Sequence, residues 1–162
     1  GTKAYGKTVV GQDCLIMAYV HIAHDCIIGD HVILVNSVAL AGHVEIGDYG
    51  IVSGLSAVHQ FVKIGAHVMI GGGAMVRKDV PPFITAAGEP LAYAGVNSVG
   101  LKRRNFSQED INEIQTLYRT LYQSGMNVSQ AVNRIKEQYP NRPLADLILS
   151  FIEQSDRGLI RK

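Results

Sequence analysis

Residues 10–28 of the chain read VGQDCLIMAYVHIAHDCII, and a Val or Ile returns at every sixth position of this stretch. The spacing continues without a miss as far as Val76, and the residue is always Val, Ile or Leu. The residue four positions after each of them is uncharged. The twelve positions of the repeat are Val10, Ile16, Ile22, Ile28, Leu34, Leu40, Ile46, Val52, Val58, Ile64, Ile70 and Val76.

A second repeat, of eighteen residues, is superimposed on the first. It is marked by Val10-Gly11, Ile28-Gly29, Ile46-Gly47 and Ile64-Gly65. Helices repeat at about 3.6 residues and half-buried strands at about 2, so neither explains the pattern. A triangular solenoid does, because three strand-plus-turn hexapeptides make one coil whose aliphatic residues stack inside. Adjacent coils are expected to pair in parallel about 4.8 Å apart, with glycine where φ is positive or backbones approach closely.

The chain contains a second region, which follows the solenoid. The two prolines of Asp79-Val80-Pro81-Pro82 remove amide donors and predict the end of the strand ladder. The expected domains are a solenoid over residues 1–82, a linker packed along the prism over 83–96, and a helical domain over 97–162. Further coils are expected before Gly1, because a bare first coil would leave backbone groups unpaired.

Three helices are predicted in the second region. The first is capped by Ser107 with Asp110 and ends near Gly125, the second spans Ser129 to Gln138, and the third begins at Pro143. Apolar stripes predict the faces that the first and third of these helices bury. The stripe residues are Ile111, Ile114, Leu117, Tyr118, Leu121 and Tyr122 in the first helix, and Leu144, Leu147, Ile148, Phe151 and Ile152 in the third.

Composition excludes several classes of function. Fifteen Lys and Arg against fourteen Asp and Glu leave no broad basic field for nucleic acid. No apolar run approaches the roughly 18 residues of a membrane span, and no charged-then-apolar leader opens the chain. Cys14 and Cys26 occupy inward repeat positions, so we expect reduced core thiols in a cytoplasmic protein, with neither a disulfide nor a metal site.

The hexapeptide period resembles that of the hexapeptide-repeat acyltransferases. The resemblance implies a mainly β protein, a left-handed parallel β-helix followed by a small α-helical C-terminal domain. The left hand is an exception to the usual crossover rule, and it comes from the resemblance, since a repeat length does not set a hand.

The eighteen-residue repeat brings three histidines to one corner of the prism. Eighteen residues after His24 comes Gly42, beside His43, and eighteen further comes Gln60, beside His59. Successive coils are expected to place these histidines on the order of 5 to 10 Å apart along the axis. Any one of them alone would be a solvated or structural residue more often than a catalytic one, but a column of three favours a site.

The column suits acyl transfer. Imidazole is the usual side chain for taking a proton from a hydroxyl, and the adjoining Asp25 is placed to orient the ring of His24. Gly42, one coil further along, offers a backbone N–H to an oxyanion. No Ser or Cys forms a recognisable nucleophile motif with His24, so direct attack is favoured over a covalent acyl-enzyme.

Six segments narrow the resemblance to the UDP-N-acetylglucosamine 3-O-acyltransferases that open lipid A synthesis. Together they span nearly the whole chain, and their order is more specific than the repeat alone. The segments are His21-Ile22-Ala23-His24-Asp25-Cys26, Ala41-Gly42-His43, Ala57-Val58-His59-Gln60-Phe61, Ile64-Gly65-Ala66-His67-Val68-Met69, Gly95-Val96-Asn97 and Gly100-Leu101-Lys102-Arg103-Arg104.

The resemblance implies a role for each matching residue. His24 is the general base that deprotonates the 3-hydroxyl of the sugar, Asp25 orients it, and Gly42 supplies the oxyanion N–H. The acyl donor is carried on the phosphopantetheine of acyl carrier protein, no other cofactor is used, and the protein is a homotrimer. Predicted substrate-binding residues are His21, His43, His59, Gln60, Asn97, Arg103 and Arg104, and Gly72 is where the acyl tail is measured. Val99 departs from the family's pattern, because the resemblance implies an acidic residue at this position.

Three alternatives remain at this point. A related N-acyltransferase would act on a 2-amine of the nucleotide sugar. A zinc hydro-lyase of the carbonic anhydrase type would need three histidines converging from two subunits, typically with a pair five residues apart, which this chain lacks. A purely structural solenoid would need none of the histidines.

Overall fold

The computed structural model describes residues 5–162, and its first part is the solenoid that the hexapeptide period predicts. Each hexapeptide contributes one strand of two residues followed by a turn. The second residue of every strand is the aliphatic position of the repeat. The strands are β1 Val9–Val10, β2 Leu15–Ile16, β3 His21–Ile22, β4 Ile27–Ile28, β5 Ile33–Leu34, β6 Ala39–Leu40, β7 Glu45–Ile46, β8 Ile51–Val52, β9 Ala57–Val58, β10 Lys63–Ile64, β11 Met69–Ile70 and β12 Met75–Val76.

Strands pair in parallel with the strand one coil away and form the three faces of the prism. One face is β1-β4-β7-β10, a second is β3-β6-β9-β12, and the third contains β2-β5-β8-β11. The register is constant, since Val9 pairs with Ile27 and Ile28 with Ile46, eighteen residues later in each case. The eighteen-residue coil predicted from the Gly dipeptides is therefore confirmed.

Aliphatic side chains fill the interior of the prism. From Ile28 to Val76 every residue of the six-residue series is at most 2% exposed, whereas Val10 and Ile16 are 42% exposed. Among the described residues no coil covers that first turn. The expected upstream coils stay a prediction, and Gly1, where they would join, lies outside the described residues.

From Val10 to Ile64, the turns place a residue with left-handed backbone three positions after each aliphatic residue. These are ordinary L-residues with φ between 52° and 64°, a conformation that normally costs roughly 1–2 kcal/mol for a side chain with a Cβ. From His31 to His67 each is supported by a hydrogen bond to the coil before, as when the His43 N–H donates to the His24 carbonyl at 3.0 Å. The series is Asp13, Tyr19, Asp25, His31, Ser37, His43, Tyr49, Leu55, Phe61 and His67.

Glycine at the coil-to-coil repeat serves close approach and not positive φ. A Cβ built on Gly47 would lie 2.5 Å from the Ala66 nitrogen of the next coil, and one built on Gly65 would lie 2.5 Å from the Pro82 nitrogen. The sequence suggested either positive φ or close backbone approach for these glycines. Only close approach applies, because the backbones of neighbouring coils leave no room for a side chain there.

The prediction that Pro81 and Pro82 end the ladder is wrong. Val80 bridges to Ile64, and strand β13, Ile84–Ala87, pairs in parallel with β11. The offset shortens to sixteen residues, with Met69 opposite Thr85, so the two prolines fall in a turn whose N–H groups the ladder does not use.

The segment predicted as a linker lies against the prism, but it is largely strand. After β13 the chain turns back as β14, Ala92–Val96, which pairs antiparallel with β13 and completes a six-stranded face. Strand β14 covers the open edge of β13 and ends the parallel ladder. The ladder therefore ends one strand, about a third of a coil, later than predicted. The division into domains at residues 82 and 96 stays a prediction.

Four helices follow, namely α1 Ser98–Arg103, α2 Gln108–Gln123, α3 Val128–Gln138 and α4 Pro143–Glu153. Ser107 caps α2 by accepting from the Asp110 N–H at 3.0 Å, as the sequence predicted. Leu147 belongs to the apolar stripe predicted for the helix that begins at Pro143. It is 56% exposed, so its assignment to the buried face is wrong. Ala145 and Leu149 are buried instead, so the buried face of α4 includes these two residues together with Ile148.

Buried polar contacts attach the helical region to the end of the prism. The Tyr118 hydroxyl donates to the Pro82 carbonyl at 2.6 Å, and burial raises the pKa of this phenol well above its usual value. Asp79, fully buried, accepts hydrogen bonds from the Lys63 N–H at 2.8 Å and the Ser155 hydroxyl at 2.6 Å. Replacing Tyr118 by Phe would remove the donor of the buried hydrogen bond to the Pro82 carbonyl.

The close approach of the coils makes a stability prediction. Gly47→Ala drives a Cβ into the Ala66 backbone and is expected to lower the free energy of unfolding by about 1–3 kcal/mol, the usual cost of overpacking. Chemical denaturation followed by circular dichroism measures it. Gly72→Ala is the matched control, because its Cβ would find only ordinary contacts from 3.6 Å; equal stability of both variants would contradict the argument.

Candidate active site

Two histidines and a buried aspartate meet at one corner of the prism. The His24 Nδ1 lies 2.9 Å from Asp25 Oδ2, and the His43 Nε2 lies 3.8 Å from the same oxygen. The two imidazole rings meet edge to face with centroids 5.2 Å apart. The His24 side chain is 59% exposed, that of His43 12% and that of Asp25 3%. The corner therefore presents one accessible imidazole backed by a carboxylate.

The turn conformation brings Asp25 under the ring of His24. Asp25 is one of the left-handed turn residues, with φ 59°, and its Oδ1 accepts a hydrogen bond from the Gly6 N–H at 2.8 Å. An ionised Asp25 carboxylate only accepts hydrogen bonds, so this contact favours the neutral imidazole that carries its proton on Nδ1. The His24 Nε2 then carries the lone pair, which is what a general base requires.

Gly42 lies directly beside the His24 ring. A Cβ at this position would be 2.5 Å from Cε1 and 2.7 Å from Nε2 of His24, so only glycine lets the imidazole occupy its place. Among residues 5–162 the Gly42 N–H donates none of the backbone bonds between coils, which instead use Ala41 and His43 on either side. This amide is a candidate donor to a developing oxyanion near Nε2.

The predicted column continues through Phe61 and not through His59. The His43 ring stacks on Phe61, eighteen residues later, with centroids 4.5 Å apart and planes 13° apart. His59 is exposed and lies two positions before Phe61, and its Nδ1 is 3.2 Å from the Gln60 carbonyl oxygen. The structure brings His24 and His43 into contact, whereas His59 makes no ring contact with any residue that the structure describes.

The other predicted site residues divide into exposed and buried groups. Asn97 is only 8% exposed and is the N-cap of α1: it accepts from the Gly100 N–H, and its amide donates to the His67 carbonyl at 3.0 Å. Its contacts with the fold are thus visible, and its predicted substrate contact stays a prediction. Val99, at the departing position, is 63% exposed. The exposed residues are His21, Gln60, Gly72, Arg103 and Arg104.

Sequence reasoning missed two contacts of this region. Phe61 supports His43 from below, and the Arg104 guanidinium carbon lies 4.6 Å from the centroid of the Tyr49 ring. The first could have been found from the eighteen-residue spacing of His43 and Phe61. The second joins the solenoid to α1, and no sequence period relates them.

The same corner also brings together three side chains that can bind a metal ion. Ligand atoms of His24, Asp25 and His43 lie within 4.8 Å of one another. Two imidazoles and a carboxylate suit Zn²⁺, but the alternative of a zinc hydro-lyase needs three histidines. That no metal is bound stays a prediction.

The two cysteines lie where the repeat places them. Cys26 is fully buried and Cys14 partly so, and both are free thiols. The Cys26 Sγ lies 3.1 Å from the Ala41 carbonyl oxygen, and burial raises the pKa of this thiol. The predicted inward placement of the two side chains is confirmed, and their reduced state stays a prediction. A thiol with a raised pKa is a poor nucleophile.

The contact between Asp25 and His24 predicts a tautomer. In the native protein the neutral His24 ring is expected to carry its proton on Nδ1, and Asp25→Ala should let the Nε2–H form, which dominates free imidazole, become populated. Long-range ¹H–¹⁵N correlation spectra of the ring nitrogens distinguish the two forms. His21, which has no carboxylate contact among the described residues, is the internal control, and an unchanged His24 spectrum would refute the orienting role.

Comparison with known proteins agrees with this geometry. Residues 79–160 match the family model described as UDP N-acetylglucosamine O-acyltransferase, domain 2, and residues 7–42 match the bacterial transferase hexapeptide family. The acyl-[acyl-carrier-protein]--UDP-N-acetylglucosamine O-acyltransferase of Paracidovorax citrulli is 49% identical over 98% of this chain, and that of Thiobacillus denitrificans is 44% identical over 96%. The chain spans 62% and 60% of those relatives.

A solved structure extends the comparison to the fold. The UDP-N-acetylglucosamine acyltransferase of Bacteroides fragilis superposes with a TM-score of 0.96 at 46% identity, over 99% of this chain and 63% of that one. The predicted left-handed β-helix with a helical C-terminal domain is confirmed. No helix of residues 5–162 is long and apolar enough to cross a membrane. With a family model matched over half of its length and relatives nearly half identical across it, the chain belongs to the UDP-N-acetylglucosamine O-acyltransferase family.

Proposed function

We propose that the protein containing this chain transfers an (R)-3-hydroxyacyl group from acyl carrier protein to the 3-hydroxyl of UDP-N-acetylglucosamine, the first step of lipid A synthesis. The observation that carries the proposal is the His24 ring, held by Asp25 through Nδ1 and lying against Gly42. Family membership supports the substrates, since the relatives' names state both acyl carrier protein and UDP-N-acetylglucosamine.

The proposed chemistry is a direct acyl transfer. The His24 Nε2 takes the proton of the sugar hydroxyl while its oxygen attacks the thioester carbonyl carbon. The Gly42 N–H donates to the oxyanion that forms, and Asp25 stabilises the imidazolium. Collapse of the intermediate breaks the carbon–sulfur bond and leaves the ester. The departing pantetheine sulfur takes the proton back from His24, so the enzyme returns to its starting state.

The remaining predicted residues have binding roles in this proposal. His21, His43, His59 and Gln60 line the nucleotide-sugar and acyl cleft. Arg103 and Arg104, in the last turn of α1 and at its C-cap, supply cations for the nucleotide phosphates. Asn97 adds a substrate contact beside its capping role.

The surroundings of His24 favour a site shared between subunits. Its side chain is 59% exposed within one chain, whereas acyl transfer needs a cleft that excludes water from the thioester. A homotrimer with clefts between neighbouring prisms would supply the missing wall. We expect a cytoplasmic protein that uses no cofactor beyond the phosphopantetheine of its donor and no resident metal.

Replacing the proposed base tests the mechanism. In the full-length protein, His24→Ala is expected to lower turnover by roughly a hundredfold or more, because proton abstraction from the hydroxyl is lost. Product formation from UDP-N-acetylglucosamine and 3-hydroxyacyl carrier protein is followed by mass spectrometry. Asn133→Ala, on the exposed face of α3, is the control for unrelated substitution. A folded His24→Ala variant with full activity would exclude His24 as the base.

The nature of the product tests the acceptor group. An ester at the 3-hydroxyl is cleaved by mild alkali, whereas an amide at a 2-amine survives it. Alkali-labile acyl product supports the O-acyltransferase, and alkali-stable product would identify the N-acyltransferase instead.

Gly72 tests the acyl-chain assignment. It is exposed, and a Cβ there would meet only ordinary contacts, from 3.6 Å, so a larger side chain can be placed there without disturbing the coil. Gly72→Met is expected to shift the preferred donor to a shorter acyl chain, because the side chain occupies the end of the channel. A panel of donors of different chain length measures the preference, and an unchanged preference would place the end of the channel elsewhere.

A further inference from the structure

A second column of rings occupies another corner of the prism, and the proposed chemistry does not use it. His31, Tyr49 and His67 are left-handed turn residues of three successive coils. The His31 and Tyr49 rings stack with centroids 4.6 Å apart and planes 10° apart, and Tyr49 and His67 stack at 4.9 Å and 13°. We call these three residues the aromatic column. Tyr49 is thus clamped between two parallel rings and has little freedom to turn.

The Arg104 guanidinium lies over this column. Its central carbon is 4.6 Å from the centroid of the Tyr49 ring, well within the range in which a cation is attracted to an aromatic face. A guanidinium is planar and weakly hydrated, so it stacks on such a face better than an ammonium does. Burial and, second to it, the charge of Arg104 lower the pKa of His67, which is consistent with a cation held beside the column.

The backbone that carries Arg104 is anchored to the same column from both sides. Before Arg104, the Asn97 side chain donates to the His67 carbonyl at 3.0 Å, and the Asn97 N–H donates to the Phe83 carbonyl at 2.8 Å. After Arg104, the Phe106 ring packs edge to face on His67 with centroids 5.0 Å apart. With helix α1 tied down at both ends, the freedom that remains is that of the Arg104 side chain.

We propose that Tyr49, held in the aromatic column, is a positioning residue that presets the Arg104 guanidinium for the anionic diphosphate of the acceptor. The proposal rests on the proposed function of Arg104 and adds the residue that acts through it. Preordering this long side chain before binding lowers the entropy lost when the phosphate arrives. Arg103, its neighbour, has no ring contact among the described residues, so the two arginines are expected to differ in order.

The kinetic test replaces the ring. In the full-length protein, Tyr49→Leu is expected to raise KM for UDP-N-acetylglucosamine about tenfold while kcat changes less than about twofold, since ground-state and transition-state binding lose the same interaction. KM for the acyl carrier protein should not change. Tyr49→Phe, which keeps the ring, should restore a KM near the native value. A fall in kcat alone, or equal effects of Leu and Phe, would overturn the proposal.

A double-mutant cycle separates positioning from a merely structural effect. If Tyr49 acts through Arg104, Tyr49→Leu adds little to the KM already raised by Arg104→Gln. Additive increases in KM would mean that Tyr49 acts through the fold or through another group, and the proposal would fail. Tyr19→Leu, at an equivalent but 90% exposed turn position without a ring contact among the described residues, controls for loss of a turn tyrosine.

A measurement without substrate keeps this inference distinct from the proposed function. ¹⁵N relaxation of the arginine Nε–H groups in the native full-length protein should show Arg104 more ordered than Arg103 on the nanosecond timescale. Tyr49→Leu should remove the difference. This result stands even if UDP-N-acetylglucosamine proves not to be the acceptor. Equal disorder of both arginines in the native protein would overturn the positioning role, whether or not the Leu variant folds.

Discussion

The backbone hydrogen bonds between successive coils, held in a register of eighteen residues, are the constraint on which the rest of this structure depends. A strand of two residues has no stability of its own, so each coil is stable only against its neighbours. The Ile27 N–H bonds to the Val44 carbonyl at 2.9 Å, and equivalent bonds repeat on all three faces. Once the register is set, identical positions of the hexapeptide stack. From Ile28 to Val76 the aliphatic side chains fill the interior and are almost fully buried.

The same register arranges polar side chains at the corners. Left-handed turn residues place side chains of successive coils above one another, so each corner carries a column whose chemistry depends on what occupies those positions. At one corner a buried carboxylate lies beside two imidazoles, and Phe61 supports the lower one. At another corner the Arg104 guanidinium lies over the Tyr49 ring, which itself stacks on His31. One backbone geometry thus presents an imidazole pair at one edge and a cation at another, because the turn exposes its side chain without changing the core.

The loss of two residues from the last coil decides how the helical region meets the prism. Val80 pairs with Ile64 sixteen positions earlier, β13 follows in that shortened register, and β14 turns back to pair antiparallel with β13. Asn97, at the end of β14, then reaches the His67 carbonyl and begins α1 there. The break in the repeat therefore places Arg104 beside Tyr49. Asp79, buried at the same break, binds Ser155 and ties the far end of the chain to the coil.

The sequence by itself determined the solenoid, its coil length and the meeting of His24 with Gly42 and His43, because a strict period maps distance along the chain onto position in space. It also placed α2, where a capping serine and an apolar stripe act locally. Only the tertiary structure decided that the glycines serve close approach, that the ladder passes the two prolines, and that Phe61 lies under His43 where His59 was expected. It alone brought Arg104 onto Tyr49. These features depend on contacts between segments with no common period, and the chain carries no local signal for such contacts.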